Sequence, residues 1–251
     1  MALVARHSTL FFIAVSELTP FVSMPCRIYA VSKLSHPTSG VHMADHQLCG
    51  AIYTELYKLD GNASHITDLV QILGEEIANA SSSAKNWDWV DALHMGMNPY
   101  SRLGNATSDI KYFNQMFAMF NQSCLPGGAY QFWNITDHLF YRDDRFLHSQ
   151  VYWGRGNGWS IAALTAALRF GKGRSYSDPH WNQYLSIFKQ LAEKLKAIQG
   201  PDGAWRASLL NVTGYPSPEM TGTSNFVYGI AYGINAGLLD ATEYMPVVER
   251  G

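Results

Sequence analysis

Apolar side chains recur at helical spacing along most of this chain beyond residue 42, and no run of useful length alternates with period two. Ile66, Leu69, Val70, Leu73 and Ile77 mark one stripe, and Ile110, Phe113, Met116, Phe117 and Phe120 mark a second. A third runs through Tyr184, Leu185, Phe188, Leu191, Leu195 and Ile198, then stops at the turn signal Gln199-Gly200-Pro201-Asp202-Gly203. Further helices fit 46–58, 88–98, 157–170 and 221–238. The fold class this pattern predicts is all-α. Gly229, Gly233 and Gly237 fall at four-residue intervals on the last of these segments. They predict close packing against a neighbouring helix, because Asn235 interrupts any membrane-embedded reading of that stripe.

A chain of 251 residues can bury a sizeable core as one large domain or two small ones. Lys and Arg total 18 against 20 Asp and Glu, a formal charge of −2. That balance gives no basic field for nucleic acid or acidic membranes. No stretch approaches the ~20 apolar residues of a membrane span. Cys26, Cys49 and Cys124 have no CxxC spacing, so at most one disulfide is expected and no metal framework. Cys49 reads as a buried helical thiol. His42, His94 and His138 likewise lack a metal-ligand spacing.

Asn-X-Ser/Thr occurs at Asn62, Asn79, Asn105, Asn121, Asn134 and Asn211, which leans toward a secreted glycoprotein, with a cytoplasmic protein as the alternative. Arg6 precedes the apolar run Leu10 to Val15, a candidate signal segment that is short and has no clear cleavage site. Residues 1–41 contain Pro20, Pro25 and Pro37, show no period and remain an unassigned N-terminal segment. Residues 42–251 are expected to form the folded domain.

Two aromatic-rich segments carry the chemistry: Trp87-Asp88-Trp89-Val90-Asp91-Ala92-Leu93-His94-Met95-Gly96 and Val151-Tyr152-Trp153-Gly154-Arg155-Gly156-Asn157-Gly158-Trp159. Each sets a chargeable side chain among indole rings, beside glycines expected to let a ligand approach the backbone. An indole offers a flat apolar face and one N–H donor, which suits a sugar ring. A carboxyl in such surroundings is partly desolvated, so its pKa should rise toward the range of a general acid. Between the helix ending near Asn121 and the one starting near Asn157, about 35 residues lack periodicity, well beyond the ~15 of an ordinary loop. That stretch holds Trp133, His138, Phe140, Tyr141, Arg142, Asp143, Asp144 and Arg145, too aromatic for disorder, and is expected to fold over a site.

The chain resembles the unsaturated rhamnogalacturonyl hydrolases, family 105 of the glycoside hydrolases, relatives of the unsaturated glucuronyl hydrolases of family 88. The resemblance rests on Ala44-Asp45-His46-Gln47-Leu48-Cys49-Gly50, Trp89 to Gly96, His138 to Asp143, Tyr152 to Trp159, and Tyr215 to Glu219 continuing through Phe226-Val227-Tyr228. It implies an (α/α)6 barrel, two rings of helices with the site in the bowl at one end. Against that pattern the sequence is expected to be incomplete at both ends, with the C-terminal part truncated.

The resemblance also implies a substrate and a set of roles. The substrate would be an unsaturated pectic oligosaccharide, a lyase product with a C4=C5 enol ether in its terminal uronic acid, handled without a cofactor. Asp91 matches the acid/base position and Asp45 the second carboxylate. Arg155 is placed to bind the uronate through its planar fork, with Trp153 and Trp159 as walls and Trp89 and Arg142 as further substrate contacts. Asp143, flanked by Arg142 and Arg145, is expected to be ionised and to organise its loop. Rival readings are an unsaturated glucuronyl hydrolase, an inactive carbohydrate-binding fragment, and a helical interaction scaffold that leaves the carboxylate–tryptophan clusters unexplained.

Overall fold

The computed structural model describes residues 44–83, 85–172 and 178–251. Cys26, His42 and the apolar run at 10–15 lie outside the described residues. The described chain is helical, with short α1 (Ala44–Gln47) leading into α2 (Cys49–Asp60), then α3 (Thr67–Ala78) and the single turn α4 (Ala80–Ser83). The long helices α5 (Asp91–Thr107) and α6 (Ile110–Cys124) follow. After an antiparallel pair of two-residue strands, β1 (Trp133–Asn134) and β2 (Leu139–Phe140), come α7 (Gly154–Phe170), α8 (Trp181–Ala197), α9 (Met220–Asn235) and α10 (Ala241–Arg250).

Burial sorts these helices into two layers. Nearly every residue of α7 is buried, from Gly154 to Phe170, so it has partners on all sides. It packs against α5 and α9, and α5 packs in turn against α1 and α2. These form the inner layer. Helices α6, α8 and α10 are apolar on one side only and cover α5, α7 and α9 as hairpin partners. On α8 the buried set is Tyr184, Ile187, Phe188, Leu191, Ala192 and Leu195, while Leu185 is only partly buried. Burial of each such side chain is worth roughly 1.5–3 kcal/mol, which holds the outer layer to the inner one.

The glycine stripe behaves as expected at two of its three positions. A Cβ on Gly229 would press on Ile161 of α7, and one on Gly233 on Leu239 and Phe188. Gly237 lies beyond the end of α9, in the left-handed region at φ +68 with nothing near its missing side chain. It ends the helix and does not pack it. Cys49 is half-buried at the start of α2, while Cys124 is the fully buried thiol.

Three extended segments lie side by side at one end of the helices. Gly154 donates its N–H to the Ala207 carbonyl at 2.8 Å, and Leu209 donates to the Tyr152 carbonyl at 2.8 Å. Ala207 N–H reaches the Ser217 carbonyl, and Glu219 N–H the Trp205 carbonyl, each at 2.9 Å. This pairing brings Trp153, Ala207 and Glu219 together although they are far apart in sequence.

Candidate active site

The inner helices present their N-terminal turns to a common space. Asp45 lies in α1, Asp91 is the first residue of α5, Arg155 is in the first turn of α7, and Glu219 is the N-cap of α9. Helix N-termini carry partial positive charge, so this end of the bundle favours an anion. A cleft of about 490 Å³ opens there, lined by Asp91, Arg142, Arg145, Phe146, Trp153, Arg155, Gly156, Ala207 and Glu219.

Asp91 is half-buried, and no side chain caps the start of its helix. Burial pushes its carboxyl above the ordinary value, the guanidiniums of Arg142 and Arg155 pull it back down, and the charge of Asp45 pushes it up again. The net direction is upward, which favours a carboxylic acid able to donate a proton. Asp45 is exposed and does not line the cleft, yet it stands near enough for its charge to act on Asp91.

Glu219 is the second carboxylate in the cleft. Its side chain accepts the N–H groups of Thr221, at 3.2 Å, and of Gly222. Those bonds commit it to capping α9.

The arginines come from two places. Arg155 is exposed at the mouth of α7. Arg142 and Arg145 come from the long segment before α7, and buried Asp143 fixes both. Asp143 Oδ1 accepts the backbone N–H of Arg145 at 3.1 Å and its Nε–H at 3.0 Å, and Oδ2 accepts an Nη2–H of Arg145 at 2.7 Å. Arg142 donates to the same Oδ2. Hydrogen bonds from Arg145 hold the Asp143 carboxyl below the usual range, with Arg142 adding charge in the same direction. The expected organiser of the loop is therefore in place.

Asn157, from the same motif as Arg155, is fully buried and completes β2 from the side. Its Oδ1 accepts the N–H of Phe140 at 2.8 Å and its Nδ2 donates to the Phe140 carbonyl at 3.0 Å. Sequence reasoning gave Asn157 no role; only the long-range pairing with residue 140 reveals it.

Among the aromatic residues, Trp153 lines the cleft and meets Phe146 edge-on at 5.6 Å and Tyr215 at 4.9 Å. Phe146 was not singled out from the sequence, and Tyr215 opened one of the motifs without being given a role. Trp159 lies on α7 one turn from Arg155, half-buried against the His94 ring at 4.8 Å. Trp89 lines a second, shallower depression of about 300 Å³ that shares Arg142 and Arg145 with the cleft.

The motif glycines lie at close packing contacts. A Cβ on Gly96 would collide with the indole of fully buried Trp87. One on Gly158 would lie 2.9 Å from Cα of Gly222, and one on Gly156 the same distance from Cγ1 of Val90. Gly156 and Gly158 let α7 pack tightly on its neighbours, and Gly96 makes room for Trp87; of the three, Gly156 alone lines the cleft.

Layered helical hairpins with a cationic, aromatic-walled cleft at the N-termini of the inner helices make the architecture of the six-hairpin glycosidases. A family model described as Glycosyl Hydrolase Family 88 matches residues 30–251, and the chain belongs to that family. Two relatives, each named unsaturated 3S-rhamnoglycuronyl hydrolase, come from Alteromonas sp. (strain LOR) and Formosa agariphila. They are 33% and 30% identical over 66% and 68% of this chain. The chain spans 40% and 47% of their respective lengths. A solved structure, glycosyl hydrolase family 88 from Bacteroides vulgatus, matches with a TM-score of 0.75 at 29% identity, covering 83% of this chain and 59% of that one.

Proposed function

We propose that the cleft removes a 4,5-unsaturated uronic acid from the end of an oligosaccharide by hydrating its C4=C5 enol ether. The carrying observation is that Asp91 is the one carboxyl lining the cleft, among the described residues, that is not engaged in capping a helix. Ordinary glycosidases need two carboxyl groups working across the scissile bond. Hydration of an enol ether needs one. Asp91 in its acid form delivers a proton to C4, leaving an oxocarbenium ion at C5. The resulting carboxylate takes a proton from the water that attacks C5, and the hemiketal so formed opens to release the neighbouring sugar.

Arg155, exposed at the mouth and free of any carboxylate partner among the described residues, is suited to the uronate carboxylate through its planar fork. Trp153, with Phe146 and Tyr215 around it, gives an apolar wall for a sugar face. The names of the two relatives join an unsaturated glycuronyl group to a rhamno- unit, and this chain takes the same substrate class in our reading.

Incubation with a lyase-generated unsaturated oligosaccharide in deuterated water tests the proposal. The expected result is loss of the double bond's ultraviolet absorbance with deuterium appearing at C4. Release of saturated uronate from a saturated oligosaccharide, without label at C4, would instead establish two-carboxylate glycosidase chemistry. Binding without turnover would favour the carbohydrate-binding reading.

A further inference from the structure

Tyr152 belongs to the motif that carries Trp153 and Arg155, yet the reaction described so far gives its hydroxyl no part. The side chain is fully buried, and the hydroxyl is partnered on both sides. It donates to Oδ2 of Asp137 at 2.5 Å and accepts from Nδ2 of Asn134 at 2.8 Å. The same amide donates to the Tyr141 hydroxyl at 2.9 Å. Burial first, and then the bond to Asp137, push the Tyr152 phenol well above its ordinary value, so it keeps the proton it donates.

Asn134 and Asp137 belong to the turn between β1 and β2. Oδ1 of Asn134 accepts the N–H groups of Thr136 at 2.8 Å and of Asp137 at 3.0 Å, which closes the turn and sets where the Asp137 carboxyl stands. Tyr141 continues β2 by donating its N–H to the Phe132 carbonyl at 2.9 Å, and Trp153 is extended at φ −68, ψ 126. The rings of Tyr141 and Tyr152 stack with centroids 4.7 Å apart.

Each of these tyrosines immediately precedes a residue of the cleft, Arg142 in one case and Trp153 in the other. Successive side chains of extended backbone point to opposite faces, so the two stacked rings lie behind the wall that Arg142 and Trp153 form. Stacked flat faces can slide over one another. Hydrogen bonds are directional, and those from the closed turn fix the Tyr152 ring in place. The Tyr152 carbonyl also accepts the N–H of Leu209 at 2.8 Å, which ties the segment 205–209 to the same point.

Resting on the proposed function, we infer that Tyr152 is a positioning residue whose hydroxyl, held by Asp137 and Asn134, fixes the Trp153 indole against Arg142 at the spacing the unsaturated sugar requires. Being fully buried, it meets no substrate and acts through Trp153.

The test measures the Kd of a lyase-generated unsaturated oligosaccharide by calorimetry in an Asp91→Asn background, and kcat with Asp91 intact. Tyr152→Phe keeps the ring and its stack and loses only the hydroxyl. Kd should rise roughly three- to tenfold, the equivalent of one hydrogen bond, with kcat within about twofold of the parent. Asp137→Ala, at a partly exposed turn, should do the same, and it decides the matter if the buried substitution fails to fold. Asp137→Asn retains an oxygen that accepts from the hydroxyl and should keep the parent Kd. In a Trp153→Ala background there is no indole to place, so adding Tyr152→Phe should change Kd by less than about twofold, whereas a general loss of stability would carry over undiminished. A parent-like Kd in Tyr152→Phe and Asp137→Ala, no recovery in Asp137→Asn, or a full effect that persists without Trp153 overturns the positioning role while the reaction stands. Failure of the wild type to bind or convert the oligosaccharide overturns the proposed function and the positioning role with it. Binding that follows this pattern without turnover overturns the reaction and upholds the positioning role.

Discussion

The backbone N–H of Val90 donates to the carbonyl of Arg142 at 2.7 Å. The loop that carries two guanidiniums to the cleft is thereby fastened to the residue immediately before Asp91. Asp143 holds the side chains of that loop and the Val90 bond holds its backbone, so acid and cations share one frame. Asp143→Ala should release Arg142 and Arg145 together. Breaking a fully buried pair costs 3–5 kcal/mol, but Arg142 and Arg145 are 32% and 71% exposed, so about 1–2 kcal/mol of stability is expected here. Substrate KM should rise several-fold with a smaller effect on kcat, read from steady-state kinetics alongside a thermal melt. Unchanged KM would mean the arginines do not meet the substrate.

Asp91→Asn keeps the size of the side chain and removes its transferable proton. Turnover should fall by at least ~10²-fold in a variant whose melt matches the parent. Near-normal rates would remove Asp91 from the chemistry.

The surroundings of Asp91 also fix the sign of two shifts in the pH–rate profile. The acid form is the active one, so kcat/KM falls as pH rises through the upward-displaced pKa of Asp91. Asp45 pushes that pKa up, so Asp45→Asn should move the alkaline limb to lower pH. Arg155 pulls it down, so Arg155→Gln should move the limb to higher pH while also weakening binding. Both limbs moving the same way, or neither moving, would count against Asp91 as the titrating group.

Arg155→Lys keeps the charge and loses the bidentate fork. Binding of the unsaturated oligosaccharide should weaken by roughly 1–3 kcal/mol, the range for charge-assisted hydrogen bonds. Identical affinity in the lysine variant would assign Arg155 a role in the field of the cleft alone.

Helix spacing made most of the fold legible, because a stripe such as Tyr184, Phe188, Leu191 and Leu195 can bury itself in only one way. The last helix, α10, escaped: it buries only Tyr244 and Val247 and contains Pro246. At the site, Asp91, Arg155, Trp153 and Arg142 could be read from three motifs and do converge on one cleft. Glu219 could not be given a role, since its placement depends on backbone pairing of residues 152–154, 205–209 and 217–219, which leaves no periodic trace. Trp87, in the same segment as Asp91, was given no role and is a core residue. Its burial depends on Gly96, nine residues further on, leaving room for the indole.

Asp178 offers a stability switch of predictable sign, remote from the reaction. It is 2% exposed just before α8, and its Oδ1 accepts the N–H of His180 at 2.8 Å. Its Oδ2, like the hydroxyl of fully buried Tyr184, has no hydrogen-bond partner among the described residues. Burial raises the carboxyl to about 6 in the folded protein, partly offset by the His180 bond. In the unfolded chain an aspartate titrates near ~3.9. Between those values the folded state holds a proton that the unfolded state has released, so stability falls as pH rises from about 4 to about 6 and then levels. The shift amounts to a few kcal/mol, on the order of 1.4 per unit. Asp178→Asn keeps the acceptor for His180, carries no charge and offers a donor that the Tyr184 hydroxyl could accept. Thermal melts should therefore show the variant markedly more stable than the parent at pH 7.5 and nearly equal to it at pH 4. A stabilisation of the same size at both pH values would mean that packing, and not the buried charge, governs this position.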